Sequence, residues 1–274
     1  MNRIGTKKTP GPRYAFLELT ARIGYAARGL VFLIVGVLAI LAAIGARSRP
    51  ADSKDALRAL LAEPFGQGLL AALAVGLFCF AVWRSLQSLG DADRRGTEPR
   101  ALVRRVIWAG SALFYFGFAW VTLSMLFGAH STGNSDQIAR EWTAWLLAQP
   151  FGGWVVGIMG IAFLVTSLGI AVRALRGDFD DRLVVTKEKR AIAAALGRAG
   201  FLSRAFVFAM IGVFLLFAAI RSSSSEAKGF AGALTVIQGQ PYGSALLGIT
   251  AAGLVAFGLH GMAEAVYRRI PPPE

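Results

Sequence analysis

Gln87, Arg173 and Glu264 occupy one register position in three copies of a repeated unit, spaced by 86 and 91 residues. An amide, a guanidinium and a carboxylate at matching ends of three helices can meet on a common axis. Arg173 and Glu264 would pair and Gln87 would fill the remaining hydrogen bonds, making a cytoplasmic plug or gate. The competing reading is three separate side chains facing lipid headgroups. His260 precedes Glu264 by one helical turn on the same face, either as a proton relay or as a hydrogen-bonded packing residue. Arg28 and Arg204 form a second matched pair, about a turn and a half inside their apolar runs at ~1.5 Å per residue. Such arginines can snorkel to lipid phosphate or serve a pore or substrate. No catalytic residues are expected: there is no HExxH zinc helix and no Gly-rich phosphate loop in a strand-turn-helix setting. The pairs Asp91/Asp93 and Asp178/Asp180 share the Asp-x-Asp pattern of calcium loops without the other ligand positions, so neither a metal nor a cofactor is expected.

The elements that carry these residues are written three times. Sliding the chain by 176 positions lays Arg22–Ile44 on Arg198–Ile220 without a gap, matching Arg22, Gly24, Arg28, Gly36 and Ala42 with Arg198, Gly200, Arg204, Gly212 and Ala218. The middle copy is more worn, with Arg105 for Arg22, Trp108 for Tyr25 and Ser111 for Arg28. Each copy has two apolar runs joined by a polar loop that ends in a corner: Pro64-Phe65-Gly66, Pro150-Phe151-Gly152 and Pro241-Tyr242-Gly243. Proline suits a helix start and disfavours helix in the residue before it. These tripeptides should therefore turn the chain from a short interfacial helix into a returning span. The divisions follow: tail 1–21, first repeat 22–89, linker 90–103, second repeat 104–176, linker 177–197, third repeat 198–270, tail 271–274.

The sequence is 55% hydrophobic and only 16% charged over 274 residues, which excludes an ordinary soluble domain. Six runs are long enough to cross a ~30 Å hydrocarbon core. The fold class expected is all-α: a polytopic membrane protein of three parallel two-helix repeats with pseudo-threefold symmetry and short interfacial helices in the outer loops. The net charge of +13 is a topology signal. The side that bears the termini, the long linkers and the adjoining helix ends collects 22 of the 29 Lys and Arg residues, which places both termini in the cytoplasm. Anionic headgroups on that side are the partners this charge implies, with a membrane protein as a further possible partner; nucleic acid is not expected.

Arg22-Ile23-Gly24-Tyr25-Ala26-Ala27-Arg28-Gly29, the Ala56–Leu60 loop and Pro64-Phe65-Gly66 resemble the bacterial family called domain of unknown function 1206. The resemblance covers nearly the whole chain and implies six spans in three tandem copies in a bacterial inner membrane; it implies no activity. Two functions remain: a non-catalytic module that binds lipid or a protein partner, or a carrier or channel along the pseudo-threefold axis. The spans carry little polarity and no midplane acid, which favours the first.

Overall fold

The computed structural model describes residues 12–89, 99–128, 135–177 and 187–268. The Asp-x-Asp pairs and the residues after 268 lie outside them. Six long apolar helices cross from one end to the other: α1 (Pro12–Ala43), α3 (Gly66–Leu89), α4 (Pro99–Leu126), α6 (Gly152–Arg176), α7 (Lys187–Ile220) and α9 (Gly243–Tyr267). Three short helices, α2 (Ser53–Leu61), α5 (Ser135–Leu147) and α8 (Phe230–Gln238), join the members of each pair at the loop end. The odd helix of each repeat starts earlier than the apolar run suggested. Residues 12–21, assigned above to a tail, are already helical, and α4 and α7 begin inside the two linkers. Pro12 and Pro99 are the first residues of their helices, where a fixed φ helps and no amide donor is needed.

The long helices form a ring in chain order. Helix α1 packs on α3, α3 on α4, α6 on α7, α7 on α9, and α9 returns to α1. One seam of a closed ring is absent among the described residues: α4 and α6, the two helices of the second repeat, do not pack on each other. The pseudo-threefold arrangement is thus a ring opened at one place.

The sequence explains where it opens. Gly24 lies so close to α3 that a Cβ would stand 2.6 Å from the Phe80 backbone, and Gly200 approaches Phe257 of α9 at 2.5 Å in the same way. A second contact in each pair sets Gly76 against Ala27 and Gly253 against Ser203. Small residues that let backbones approach are the main means of joining helices in lipid. At the matching positions of the second repeat stand Ile107 and Ala162. Without its glycines that pair cannot close by the same contacts, and Gly110 and Gly169 have nothing within 4 Å of an added Cβ.

Seams between repeats are stapled by the first arginine of a copy. Arg22 donates from Nη1 to the carbonyls of Ala265 (2.8 Å) and Val266 (2.5 Å) at the end of α9. Arg105 donates to those of Ser88 (2.6 Å) and Leu89 (2.8 Å) at the end of α3. The acceptors are the same two register positions. The last carbonyls of a helix lack intrahelical partners and attract a cation.

All three corners share one geometry. Phe65, Phe151 and Tyr242 take left-handed φ values of 62°, 64° and 60° and point outward, almost fully exposed. The glycine that follows is packed against the preceding helix: a Cβ on Gly66, Gly152 or Gly243 would fall 2.4, 1.9 or 2.0 Å from a carbonyl oxygen. The turn therefore depends on the aromatic residue's left-handed φ as well as on proline, and the glycine is required by close approach. Outward aromatic rings at this level suit an interfacial belt.

Candidate functional site

The site lies between α1, α3, α7 and α9, toward the end of the bundle that bears the termini. The Gly24 contact brings Phe80 of α3 against α1, and the contact of Gly29 with Gly258, where an added Cβ would stand 2.8 Å from the carbonyl oxygen, brings α9 with Phe257 to α1 as well. Arg28 is buried there, its guanidinium carbon 5.1 Å from the Tyr25 ring, 5.1 Å from Phe80 and 5.0 Å from Phe257. Arg28 Nη2 donates to Glu264 Oε2 at 2.5 Å. The other carboxylate oxygen accepts from Arg268 Nη1 at 2.6 Å, and Arg268 lies 4.7 Å over Tyr25. A buried ion pair satisfied in this way is held by aromatic faces and by both carboxylate oxygens at once.

Around this pair the cations outnumber the acids. Arg84 sits 4.9 Å over Phe80 and donates to Gln87 Oε1 at 3.0 Å. Arg204 lies over Phe208 (4.8 Å), Phe257 (5.1 Å) and Phe32 (5.8 Å). Its Nε, like those of Arg28 and Arg84, is buried without a hydrogen-bond partner, and no carboxylate pairs with Arg204 among the described residues. Tyr115 of α4, Arg28, Arg84 and Arg173 of α6 are its electrostatic neighbours. The rings of repeats one and three pair similarly: Trp83 Nε1 donates to Tyr25 Oη at 3.2 Å, and His260 stands edge-on to Phe201 at 5.5 Å.

The expected cluster is rearranged. Gln87, His260 and Glu264 are buried at this end, but both oxygens of Glu264 are occupied by Arg28 and Arg268 rather than by Arg173. The groups acting most strongly on that carboxylate are Arg28, Arg268, His260 and Arg84. Arg173 is exposed on α6, which follows from the open seam: α6 packs on α7 and never reaches α9 as a full neighbour. Arg28, expected at the headgroups, is instead turned inward by its carboxylate and three rings. Among the described residues Arg204 alone of that pair has no counter-charge. The two differ because α9 supplies Glu264 opposite Arg28, whereas the matching even-helix position for the third repeat is Arg173.

Four participants were missed in the sequence: Arg84, Arg268, Phe80 and Phe257. The two phenylalanines carried a signal, since they share a register position that is Thr166 in the second repeat. Arg84 and Arg268 fall among the 22 basic residues whose bias sets the topology and carry no further signal. Among the described residues no group of His, Cys, Asp and Glu is arranged to hold a metal.

Comparison with known proteins bears on the architecture. The family described as Domain of Unknown Function (DUF1206) matches three times, over residues 23–90, 106–177 and 199–268. A Bacillus subtilis (strain 168) protein named "Uncharacterized protein YxxB" is 36% identical over 258 residues, covering 93% of this chain and 92% of its own length. No solved structure matches the chain. Three successive family matches coincide with the three helix pairs, and the chain belongs to the DUF1206 family.

Proposed function

We propose that the protein is a non-catalytic module of a bacterial inner membrane that holds the phosphate of an anionic lipid at its cytoplasmic end. The observation that carries the reading is the charge imbalance: Arg28, Arg84 and Arg268 gather around the one carboxylate of Glu264, and Arg204 stands beside Arg28 and Arg84 with Arg173 close to it. Glu264 pairs with both Arg28 and Arg268 and offsets one of the two charges; among the described residues Arg204 is left among aromatic rings with no acid. A phosphate oxygen is the acceptor its fork of donors fits. Termini placed on the cytoplasmic side by the Lys and Arg bias put this charge beside the anionic leaflet surface.

Transport along the ring axis is the weaker reading. Leu70, Leu73, Leu77 and Phe80 of α3, Phe118 of α4, Val207 of α7 and Leu254 of α9 form one buried apolar cluster with α1. Filling of this kind supports a closed interior over a wet path. Native mass spectrometry of the full chain tests the proposal. The wild type should retain phosphatidylglycerol over phosphatidylcholine, and Arg204→Gln should lower that preference about fivefold, the worth of one arginine near a charged surface. Equal retention of the two lipids by the wild type would reject it.

A further inference from the structure

The seam that fails to close has the same two walls as those that do. In the first and third repeats Tyr25 meets Trp83 and Phe201 meets His260. Ala27 meets Gly76 and Ser203 meets Gly253. The matching residues of the second repeat are Trp108 with Gly169 and Gly110 with Ala162. Gly110, Ala162 and Gly169 are exposed, and added Cβ atoms on the two glycines meet nothing. The walls of this crevice are apolar: Ile107 is exposed on α4 where the matching Gly24 is buried, and Met159 is exposed on α6 where the matching Leu73 and Thr250 are buried. Arg204 stands at its terminal end, with Tyr115 of α4 and Arg173 of α6 as its electrostatic neighbours from the two helices that part.

We infer that the gap between α4 and α6 is a lateral crevice that receives an acyl chain of an anionic phospholipid whose phosphate is held at Arg204. The inference rests on the headgroup reading above and adds how the lipid enters: sideways from the bilayer, through the one unzipped repeat. Two observations point to a lipid over other occupants. The crevice is oily along its length and cationic at one end, which is the polarity of an anionic lipid in its leaflet. The cation at that end also lacks a counter-charge among the described residues, which a second copy of this basic chain is poorly suited to provide. Loss of the glycines and of the deep arginine in one repeat then has a common consequence, because Ser111 in place of an arginine leaves the crevice mouth free of a bulky side chain.

The test uses the full chain in mild detergent, loaded with phosphatidylglycerol or phosphatidylcholine and read by native mass spectrometry. Gly110→Leu with Gly169→Leu fills the crevice while leaving every arginine in place. Both changes raise helix propensity, so the helices themselves are not weakened. Retention of phosphatidylglycerol should fall about tenfold or more, since displacing two chain methylenes already gives that loss. Ala162→Leu, across the gap from Gly110, should act in the same direction, and unchanged thermal unfolding confirms a folded chain. If the wild type prefers phosphatidylglycerol but the filled variants retain it equally well, the crevice inference is overturned and the headgroup reading stands. If the wild type shows no preference, the headgroup reading itself fails. Dimers of the wild type that filling dissociates would assign the crevice to a second copy and overturn the lipid assignment.

Discussion

The first and third repeats draw their two helices together through paired glycines, while the second holds its helices apart, and the site follows the boundary between them. In the closed repeats backbone contact at Gly24–Phe80 and Gly200–Phe257 fixes two phenylalanine faces on either side of Arg28. In the second repeat Ile107 and Thr166 replace both partners, and Ser111 replaces the arginine. The difference shows that a degenerate copy can alter the whole assembly without disturbing its seams to the neighbours. Helices α4 and α6 remain bound to α3 and α7, and Arg105 still caps α3.

The sharpest way to break the comparison is to remove the acid that satisfies the closed side. Glu264→Ala leaves Arg28 buried among three rings without its counter-charge, and loss of one partner of a buried pair costs about 3–5 kcal/mol. Thermal unfolding in detergent should show this as the largest drop of any single change at the site. Replacing both partners, Arg28→Met with Glu264→Leu, should recover most of it. A double variant as unstable as Glu264→Ala would mean that the cation, not the filled space, holds α1 to α9. Next in size is the backbone contact. Gly200→Ala forces a Cβ to 2.5 Å from the Phe257 backbone and should cost about 1–3 kcal/mol through overpacking. The reciprocal change at the open seam, Ile107→Ala, should cost under about 1 kcal/mol because that side chain is exposed. Equal losses at the two positions would show that the second repeat is closed after all.

The fold was legible in the sequence wherever a feature recurred. Three corners, six spans and the matched arginines all appear as repeats, so each instance supported the others. What could not be read was the partner of Arg28. Glu264 lies 236 positions away, on a helix that becomes its neighbour only when the ring closes, and no local periodicity links them. Alignment of the copies instead suggested Arg173 for Glu264, because a perfect threefold axis was assumed. The open seam breaks that symmetry. Its cause was visible at Ile107 and Ala162, where a glycine twice gives way to a larger residue, but the weight of such a change appears only when the backbone distances of the other copies are known.

The loop end behaves differently, and there the second repeat is clasped to both neighbours. Asp136 of α5 accepts from the amides of Gly229 (2.8 Å) and Gly232 (2.9 Å) at the start of α8, whose N-cap residue, Gly229, has no side chain to cap it. Asp136→Ala should therefore lower stability by about 1 kcal/mol, the usual worth of a helix cap, although the residue lies in another repeat. A loss no larger than that of an exposed surface change would show that the clasp carries no load.

The smallest effect concerns the other clasp. Burial of Lys54 on α2, joined by the repulsion of Arg58, outweighs the attraction of Asp52 and of Glu141 on α5 and holds its pKa below the ordinary lysine value of 10.5. The folded chain therefore gives up this proton at lower pH than the unfolded chain does. Between the two values the unfolded state binds more protons, so stability contributed here rises with pH up to about 10.5 and is lowest where both states are charged. Unfolding followed from neutral to alkaline pH should show that gain, and Lys54→Met should remove the pH dependence while matching the alkaline stability of the wild type. A gain that survives in Lys54→Met would belong to some other group. A fall in place of the gain would mean that attraction across to α5 dominates, making the second repeat's outer loop more tightly bound to the first than its helices are to each other.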